Sequence, residues 1–346
     1  MTPLLMNGKK LSDNEGVSMK KIIFDRRWEG GHGIGRFSTE ITSRIKFHKY
    51  IVNNIKPTSP IDIFVTPWYL FLNNYVYFTP GFNAPYFFIK RSVITIHDLN
   101  HIDIDNNSSF LKKLYYRLVL KRACKKSLAI LTVSEFSKRR IIDWAGIDGD
   151  KVTVVGNGVS SNFKPDGMSF SPGYNYIFCV SNRKEHKNEK KLIEAFSLVN
   201  NRNGLKLVFS GKPTVEITEF IRSLNLENDI VFTGYINDDE LPAYYRGALM
   251  LVMPSIYEGF GLPVIEAMAC GTPTIASNTT SLSEIAGNAS LLVDPLNVYD
   301  ICAAMHTLIS DRSVCEELKL KGLEHVKQYT WENTVCKIKT VLEKLQ

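Results

Sequence analysis

"YIFCVSNRKEHKNEKKLIEAFSLVN", residues 176–200, holds three elements in one short stretch. An apolar run of β-forming residues leads into a charged loop. A segment follows in which Leu192, Ile193, Phe196 and Val199 recur at helical spacing. The same unit occurs earlier in the chain. Strands are predicted at "KIIFD" (21–25), "IDIFVT" (61–66), "SVITIHD" (92–98), "AILTVS" (129–134) and "VTVVG" (152–156), with helices such as "RFSTEITSRI" and "SEFSKRRIIDWAG" among them. After residue 200 the alternation continues through strands "KLVFSG", "IVFTG", "LMLVMPS" and "TPTIAS". Strand–helix alternation implies parallel sheets covered by helices, and two separate series imply two doubly wound α/β domains.

Between the series, "NGVSSNFKPDGMSFSPGYN" (157–175) concentrates Gly, Pro, Ser and Asn, so a boundary falls near residue 167. The expected organisation is an N-terminal extension at 1–18, a first domain at 19–167 and a second at 168–346. The last helix, "WENTVCKIKTVLEKLQ", could pack on either domain. Ligands of open α/β sheets bind at the carboxyl ends of the strands, so two facing domains point to a cleft site.

Composition narrows the class. With 44% hydrophobic and 22% charged residues, the chain reads as soluble and globular. No apolar run approaches the ~20 residues of a membrane-spanning helix. Residues 1–18 are polar and lack the pattern of an export signal. The six cysteines show no metal-ligand spacing, so a reduced, cytoplasmic chain is expected. Net charge is +7 but unevenly placed: residues 1–165 carry 25 Lys and Arg against 13 Asp and Glu, and the remainder is net acidic. The excess is densest in "FLKKLYYRLVLKRACKKSLAIL" (110–131). That stretch reads either as a basic amphipathic helix lying on anionic lipid or as a helix with a solvated basic face. No nucleic-acid-binding motif accompanies the charge, so nucleic acid is not an expected partner.

Four constellations carry chemistry. "EGGHGIGRFSTE" (29–40) opens the first helix but fails the dinucleotide pattern G-x-G-x-x-G, because Arg36 stands where the third glycine belongs. Bare backbone at a helix start still suits an anionic group, and a tight turn alone would also explain the glycines. In "VSNRKEHKN" (180–188), Arg183 and Lys187 leave the carboxyl end of a strand, where a guanidinium fork and an ammonium could clamp a diphosphate. "SIYEGFGLPVIEAMACGTP" (255–273) places Glu258 and Glu266 on either side of a glycine turn closed by Pro263. The amides of Gly259, Phe260, Gly261 and Leu262 would face the cleft, with the positive end of a helix behind them. "TIHDLNHID" (95–103) puts His97 and Asp98 at a strand end, as structural hydrogen-bonders or as site residues. "DID" (103–105) mimics an Asp-x-Asp metal motif without other clustered carboxylates, so no metal is expected.

Together these residues resemble the retaining glycosyltransferases of family 4, whose GT-B fold has two facing Rossmann-like domains. The resemblance covers nearly the whole chain from Met19. Its most specific part is the Glu-x7-Glu of "EGFGLPVIE", followed by "EAMACGTP". It is supported by "GGHGIGRF", "TIHDLNHI", "LTVSEFSK", "VVGNGV", "SNRKEHKNEKKLIEAF", "FTGYINDDELPAYYRGA" and "YTWENT". "SN" of "VSNRK" stands where many members have glycine before the arginine.

The resemblance implies a metal-independent hexosyltransferase. Arg183 and Lys187 would hold the donor diphosphate, Glu258 with the amides of Phe260 and Gly261 the transferred sugar, and Glu266 the ribose hydroxyls. Gly33 and Gly35 would let the backbone approach the diphosphate, with His97 near the reacting face of the sugar. "TIHDLNHI" and "SNRKEHKN" are similar to mannosyltransferases of bacterial surface-polysaccharide (O-antigen type) assembly. This implies GDP-mannose as donor, a lipid-linked oligosaccharide as acceptor, and a place at the inner face of the cell membrane. UDP-glucose, UDP-GlcNAc and TDP-rhamnose are alternative donors. A retaining glycosidase, which also uses two carboxylates, and an inactive sugar-nucleotide-binding protein are the readings from other classes.

Overall fold

The computed structural model describes residues 21–31, 33–104, 110–200 and 204–345, so the extension expected at 1–18 lies outside it. Twelve strands form two six-stranded sheets among the described residues. The first contains β1 (Ile22–Asp25), β2 (Lys49–Ile51), β3 (Val76–Thr79), β4 (Ser92–Thr95), β5 (Ala129–Thr132) and β6 (Val152–Val154), in the order β2-β1-β3-β4-β5-β6. The second contains β7 (Tyr176–Cys179), β8 (Lys206–Phe209), β9 (Ile230–Phe232), β10 (Met250–Met253), β11 (Thr274–Ser277) and β12 (Leu291–Val293), in the order β12-β11-β10-β7-β8-β9.

Every pairing is parallel, with Phe24 opposite Phe78 and Leu251 opposite Phe178 as examples of the register. Parallel strands are covered on both faces, which is why β3, β4, β5, β7, β10 and β11 are buried at every position. Strand order reverses between β1 and β3 in one sheet and between β7 and β10 in the other. Such switch points open a crevice at the carboxyl ends of the strands. The glycine stretch after β1, the charged loop after β7 and the Glu258 turn after β10 all leave these two points.

One expected strand is a helix. "IDIFVT" belongs to helix Asp62–Phe71, and the sheet is completed instead by β2 and β3, neither of which the sequence pattern revealed. The cause is an inverted helix whose polar side faces inward. Asp62 and Thr66 are buried, and the Thr66 hydroxyl donates to Asp62 Oδ1 at 2.9 Å. That i,i+4 contact cannot form in a strand, where the two side chains would stand about 13 Å apart. Asp62 also takes Arg27 Nη1 at 2.5 Å, and Arg27 Nη2 holds Asp25 Oδ2 at 2.6 Å, all three side chains being nearly inaccessible. The basic stretch at 110–131 forms a helix through Lys126, widened by a π turn at Tyr116–Leu120, and then gives way to β5. No helix among the described residues is long and apolar enough to cross a membrane.

The final helix, Trp331–Glu343, packs on the first sheet. Trp331, Ile338 and Val341 share a core with Phe24, Phe37, Phe78 and Leu131. Gly158 makes this return possible, because a Cβ there would collide with the Trp331 backbone. Trp331→Ala is expected to cost about 3–5 kcal/mol by urea denaturation. A loss below about 1 kcal/mol would mean that this helix does not complete the first core.

Candidate active site

The turn after β10 takes its shape from two glycines. Gly261 adopts φ 108°, and a Cβ there would approach Leu282 Cδ2 to 2.5 Å. Gly259 meets the other domain: a Cβ would lie 2.6 Å from the His97 carbonyl oxygen and 2.7 Å from Asp98 Cβ. Across this contact Ser134 Oγ donates to the Gly259 carbonyl at 2.7 Å, and the Ser137 hydroxyl is shared between the carbonyls of Gly259 (3.3 Å) and His97 (2.9 Å). The Phe260 side chain turns inward, onto Val133, Ile265 and Ile285, leaving only its backbone toward the cleft. Helix Leu262–Ala269 follows, with Pro263 in its first turn. The amides of Phe260, Gly261 and Leu262 find no backbone acceptor among the described residues, so the helix presents donors and the positive end of its dipole.

Lys187 and Glu258 meet in front of that turn. Lys187 Nζ donates to Glu258 Oε1 at 2.6 Å, with both side chains about seven-eighths buried. The Lys187 loop is clamped by Asn188, which adopts φ 60° and donates to the carbonyls of Pro254 (2.9 Å) and Pro295 (2.6 Å). His186 is buried behind it, and its carbonyl accepts from Ile256 N at 2.8 Å. Burial pushes the His186 imidazole down to about 4, against the pull of Glu258, so it is neutral near pH 7. Glu258 is thereby left with Lys187 as the cation in contact. Asp98 lies in the field of Glu258, Lys184 and Lys187, and burial raises its carboxyl above the usual range.

Glu266 is separately engaged. Its Oε2 accepts from Tyr245 OH at 2.8 Å, and its Oε1 is ion-paired with Arg36 of the opposite domain. Arg36 Nη2 also reaches Asp238 Oδ1 at 3.1 Å, and its guanidinium lies over the Phe163 ring at 5.8 Å. Burial raises the Glu266 carboxyl in spite of Arg36. The two glutamates of the motif thus sit on two different cations. Gly33 is open, a Cβ there meeting nothing within 4 Å, whereas a Cβ on Gly35 would collide with the Gly30 backbone, so Gly35 serves the turn itself.

Other expected site residues are placed differently from the Lys187–Glu258 pair. Arg183, at φ 62°, packs its guanidinium over Phe209 and Phe232, donates to the Ser181 and Ser210 carbonyls and pairs with Glu189 Oε2 at 3.0 Å. It does not join Lys187 at Glu258. His97 Nε2 donates to the Pro80 carbonyl at 2.9 Å and sets its ring edge-on to Phe37. Asp103 of "DID" is held by Arg140 Nη2 at 2.5 Å and accepts from Tyr257 OH across the domains at 2.8 Å, while Asp105 lies outside the described residues. No group of three potential metal ligands occurs among the described residues.

Sequence reasoning missed Arg36, Tyr245 and Asp238. Arg36 carried a readable signal, since it stands in the helix-opening glycine stretch, where its charge is aimed at the facing domain. Removing it leaves Glu266 buried without its cation. A carboxyl whose folded pKa lies above its unfolded value loses stability as pH rises. Arg36→Met is therefore expected to cost on the order of 1–3 kcal/mol at pH 8 and distinctly less at pH 5, where Glu266 can protonate. Equal losses in thermal melts at both pH values would show that Arg36 does not neutralise Glu266.

Comparison with known proteins agrees with this geometry. Residues 44–163 match the Glycosyltransferase Family 4 model, and residues 163–325 match that of the glycosyl transferases group 1. The chain is 31% identical over 282 residues to O-antigen chain mannosyltransferase B of Escherichia coli, covering 78% of this chain and 73% of that protein. It is 31% identical over 208 residues to O-antigen chain mannosyltransferase RfbU of Salmonella typhimurium, covering 60% of this chain and 58% of that one. Anabaena HepE, solved with UDP and glucose, superposes over 94% of this chain and all of its own, with a TM-score of 0.74 at 16% identity, which shows the shared GT-B fold. With two facing Rossmann-like domains and matching family models in both halves, the chain belongs to the family 4 glycosyltransferases.

Proposed function

We propose that this glycosyltransferase moves mannose from GDP-mannose, with retention at the anomeric carbon, to a hydroxyl of a growing lipid-linked surface glycan. The observation that carries the reading is the Lys187–Glu258 pair in front of the amides of Phe260, Gly261 and Leu262. An anionic diphosphate is the natural occupant of such donors, and Lys187 turns from Glu258 to its leaving phosphate. Glu258 then accepts from hydroxyls of the sugar, and Glu266 from the ribose once Arg36 yields. The acceptor hydroxyl attacks the anomeric carbon on the face from which the diphosphate departs. The carbon–oxygen bond to phosphate breaks, and the acceptor proton passes to the released phosphate. His97 lines the acceptor side from beneath Gly259, and Gly33 leaves room for the diphosphate. Arg183 reaches the phosphates only by exchanging Glu189 for them. No metal is required, because Lys187 and the helix end supply the positive charge.

The mannosyl assignment rests on the named activities of the two O-antigen relatives. UDP-glucose, UDP-GlcNAc or TDP-rhamnose would fit the same phosphate site. A retaining glycosidase places its two carboxyls on one scissile bond, whereas here Glu258 and Glu266 are engaged by separate cations, Lys187 and Arg36. The basic helix through residues 110–126 adds cations to the same domain, favouring a peripheral position at the inner face of the membrane.

Thermal stabilisation against GDP, UDP, TDP and ADP, then against the corresponding sugar nucleotides with and without EDTA, tests the donor. GDP and GDP-mannose are expected to stabilise by ~2.7 kcal/mol at one hundred times Kd, regardless of EDTA. A shift with UDP alone would replace the donor, and none with any nucleotide would overturn the site. Lys187→Ala should lower turnover by about 10²-fold or more. A near-normal rate would remove Lys187 from the chemistry.

A further inference from the structure

The inverted helix Asp62–Phe71 turns its apolar side to solvent. Ile61, Phe64, Trp68, Phe71 and Leu72, spaced by whole helical turns, are each between 61% and 69% exposed. The stripe continues beyond the helix. Trp68 stacks on Phe71 at 6.3 Å, Phe71 meets Phe88 at 6.5 Å, and Phe87 beside it is 56% exposed. Isolated exposed apolar residues are ordinary, but a connected aromatic surface marks an interaction site.

Charge identifies the partner. From Lys49 to His97 the sole acidic residue is Asp62, which is buried against Arg27. The border of the stripe is cationic. Arg91 lies over the Phe88 ring at 4.6 Å, Arg122 lies over Tyr86 at 4.4 Å, and Lys90 is exposed beside them. Through Arg122 the surface joins the basic helix, where Leu114 and Leu118 are exposed and Lys125 faces solvent one turn beyond Arg122 and two beyond Leu118. Apolar aromatics for the acyl boundary, ringed by cations at headgroup level, are complementary to an anionic bilayer.

We infer that helix Asp62–Phe71 with Tyr86–Phe88 is the surface by which this protein docks on an anionic lipid leaflet, Phe64, Trp68 and Phe71 entering the acyl boundary and Lys90, Arg122 and Lys125 meeting the headgroups. This deepens the lipid-linked acceptor reading and relocates the main contact from the basic helix to its aromatic neighbour. The placement suits transfer. Asp62 at the start of the helix is tied to Arg27 and Asp25 at the carboxyl end of β1, on the rim of the cleft. From that rim the stripe runs down the flank of the domain to Phe71 and Phe88 near the amino ends of β3 and β4, so a leaflet along this flank lies beside the cleft mouth.

Flotation of the full chain with phosphatidylcholine vesicles, with and without phosphatidylglycerol, tests the surface. Binding is expected with the anionic vesicles and much less without the anionic lipid. In a Trp144→Phe background Trp68 reports the contact, because Trp28 and Trp331 are buried whereas Trp144 is partly exposed against Lys121. Its fluorescence should shift to the blue and be quenched by brominated acyl chains, and Trp68→Phe should remove the signal while retaining binding. The triple variant Phe64→Ser, Trp68→Ser, Phe71→Ser should lower partitioning by about tenfold or more, and Lys90→Glu with Lys125→Glu should abolish the preference for anionic lipid. Nucleotide-induced stabilisation should persist in both variants, which separates failure of the surface from failure of the donor site. Equal partitioning of the triple variant, or no binding of the wild type to anionic vesicles, would overturn the inference. So would a concentration-dependent dimer dissolved by the same substitutions, which would make a second copy the occupant.

Discussion

The hydrogen bond from Ser134 Oγ to the Gly259 carbonyl fixes the cleft. Ser134 also caps helix Glu135–Ala145 by accepting from Ser137 N, so one side chain ends a strand, starts a helix and grips the facing domain. Glu284 reinforces it from across the cleft, accepting from the amides of Glu135 (2.9 Å) and Phe136 (3.0 Å) at the positive end of that helix. Without a side chain at 259 the turn lies against His97 and Asp98, and this closeness aims the Glu258 carboxylate and the amides behind it into the cleft. A displacement of an ångström in this turn would move the Glu258 carboxylate and the amides behind it together.

Electrostatically the cleft is balanced within the chain itself. Lys187 neutralises Glu258 and Arg36 neutralises Glu266, while His186 beside the first pair remains neutral. Buried charges tolerate this arrangement only because each has a partner. On the proposed function, a nucleotide-sugar would bring both anionic phosphates and hydroxyl donors and could satisfy the cation and the carboxylate of each pair at once, by exchange of partners rather than creation of new charge.

Much of this was legible in the sequence. The alternation of strands and helices gave two parallel sheets because buried strands leave near-continuous apolar runs. The turn after β10 was legible because Gly-Phe-Gly before Leu-Pro has few other uses. Helix Asp62–Phe71 was misread because a period-based reading assumes that polar residues face water, whereas Asp62 and Thr66 face Arg27. Arg183 is placed apart from Lys187 for a related reason. Its spacing from Lys187 suggested a shared target, but the left-handed backbone at Arg183 turns the guanidinium toward Glu189 and two aromatic rings. Contacts between residues far apart in the chain, such as Arg36 with Glu266 and Ser134 with Gly259, have no local periodicity to betray them.

The chain crosses between the domains twice, and the crossings lie side by side, with Val159 N donating to the Tyr329 carbonyl at 3.0 Å. The second crossing delivers Trp331, Ile338 and Val341 to a core otherwise built from residues up to Val155. During synthesis the first sheet therefore emerges with one wall missing, and it stays open while the entire second domain is translated. Its apolar face is finished only when helix Trp331–Glu343 leaves the ribosome. The first domain is thus completed after the second, and a nascent chain stalled anywhere in the second domain carries an exposed core rather than a folded half.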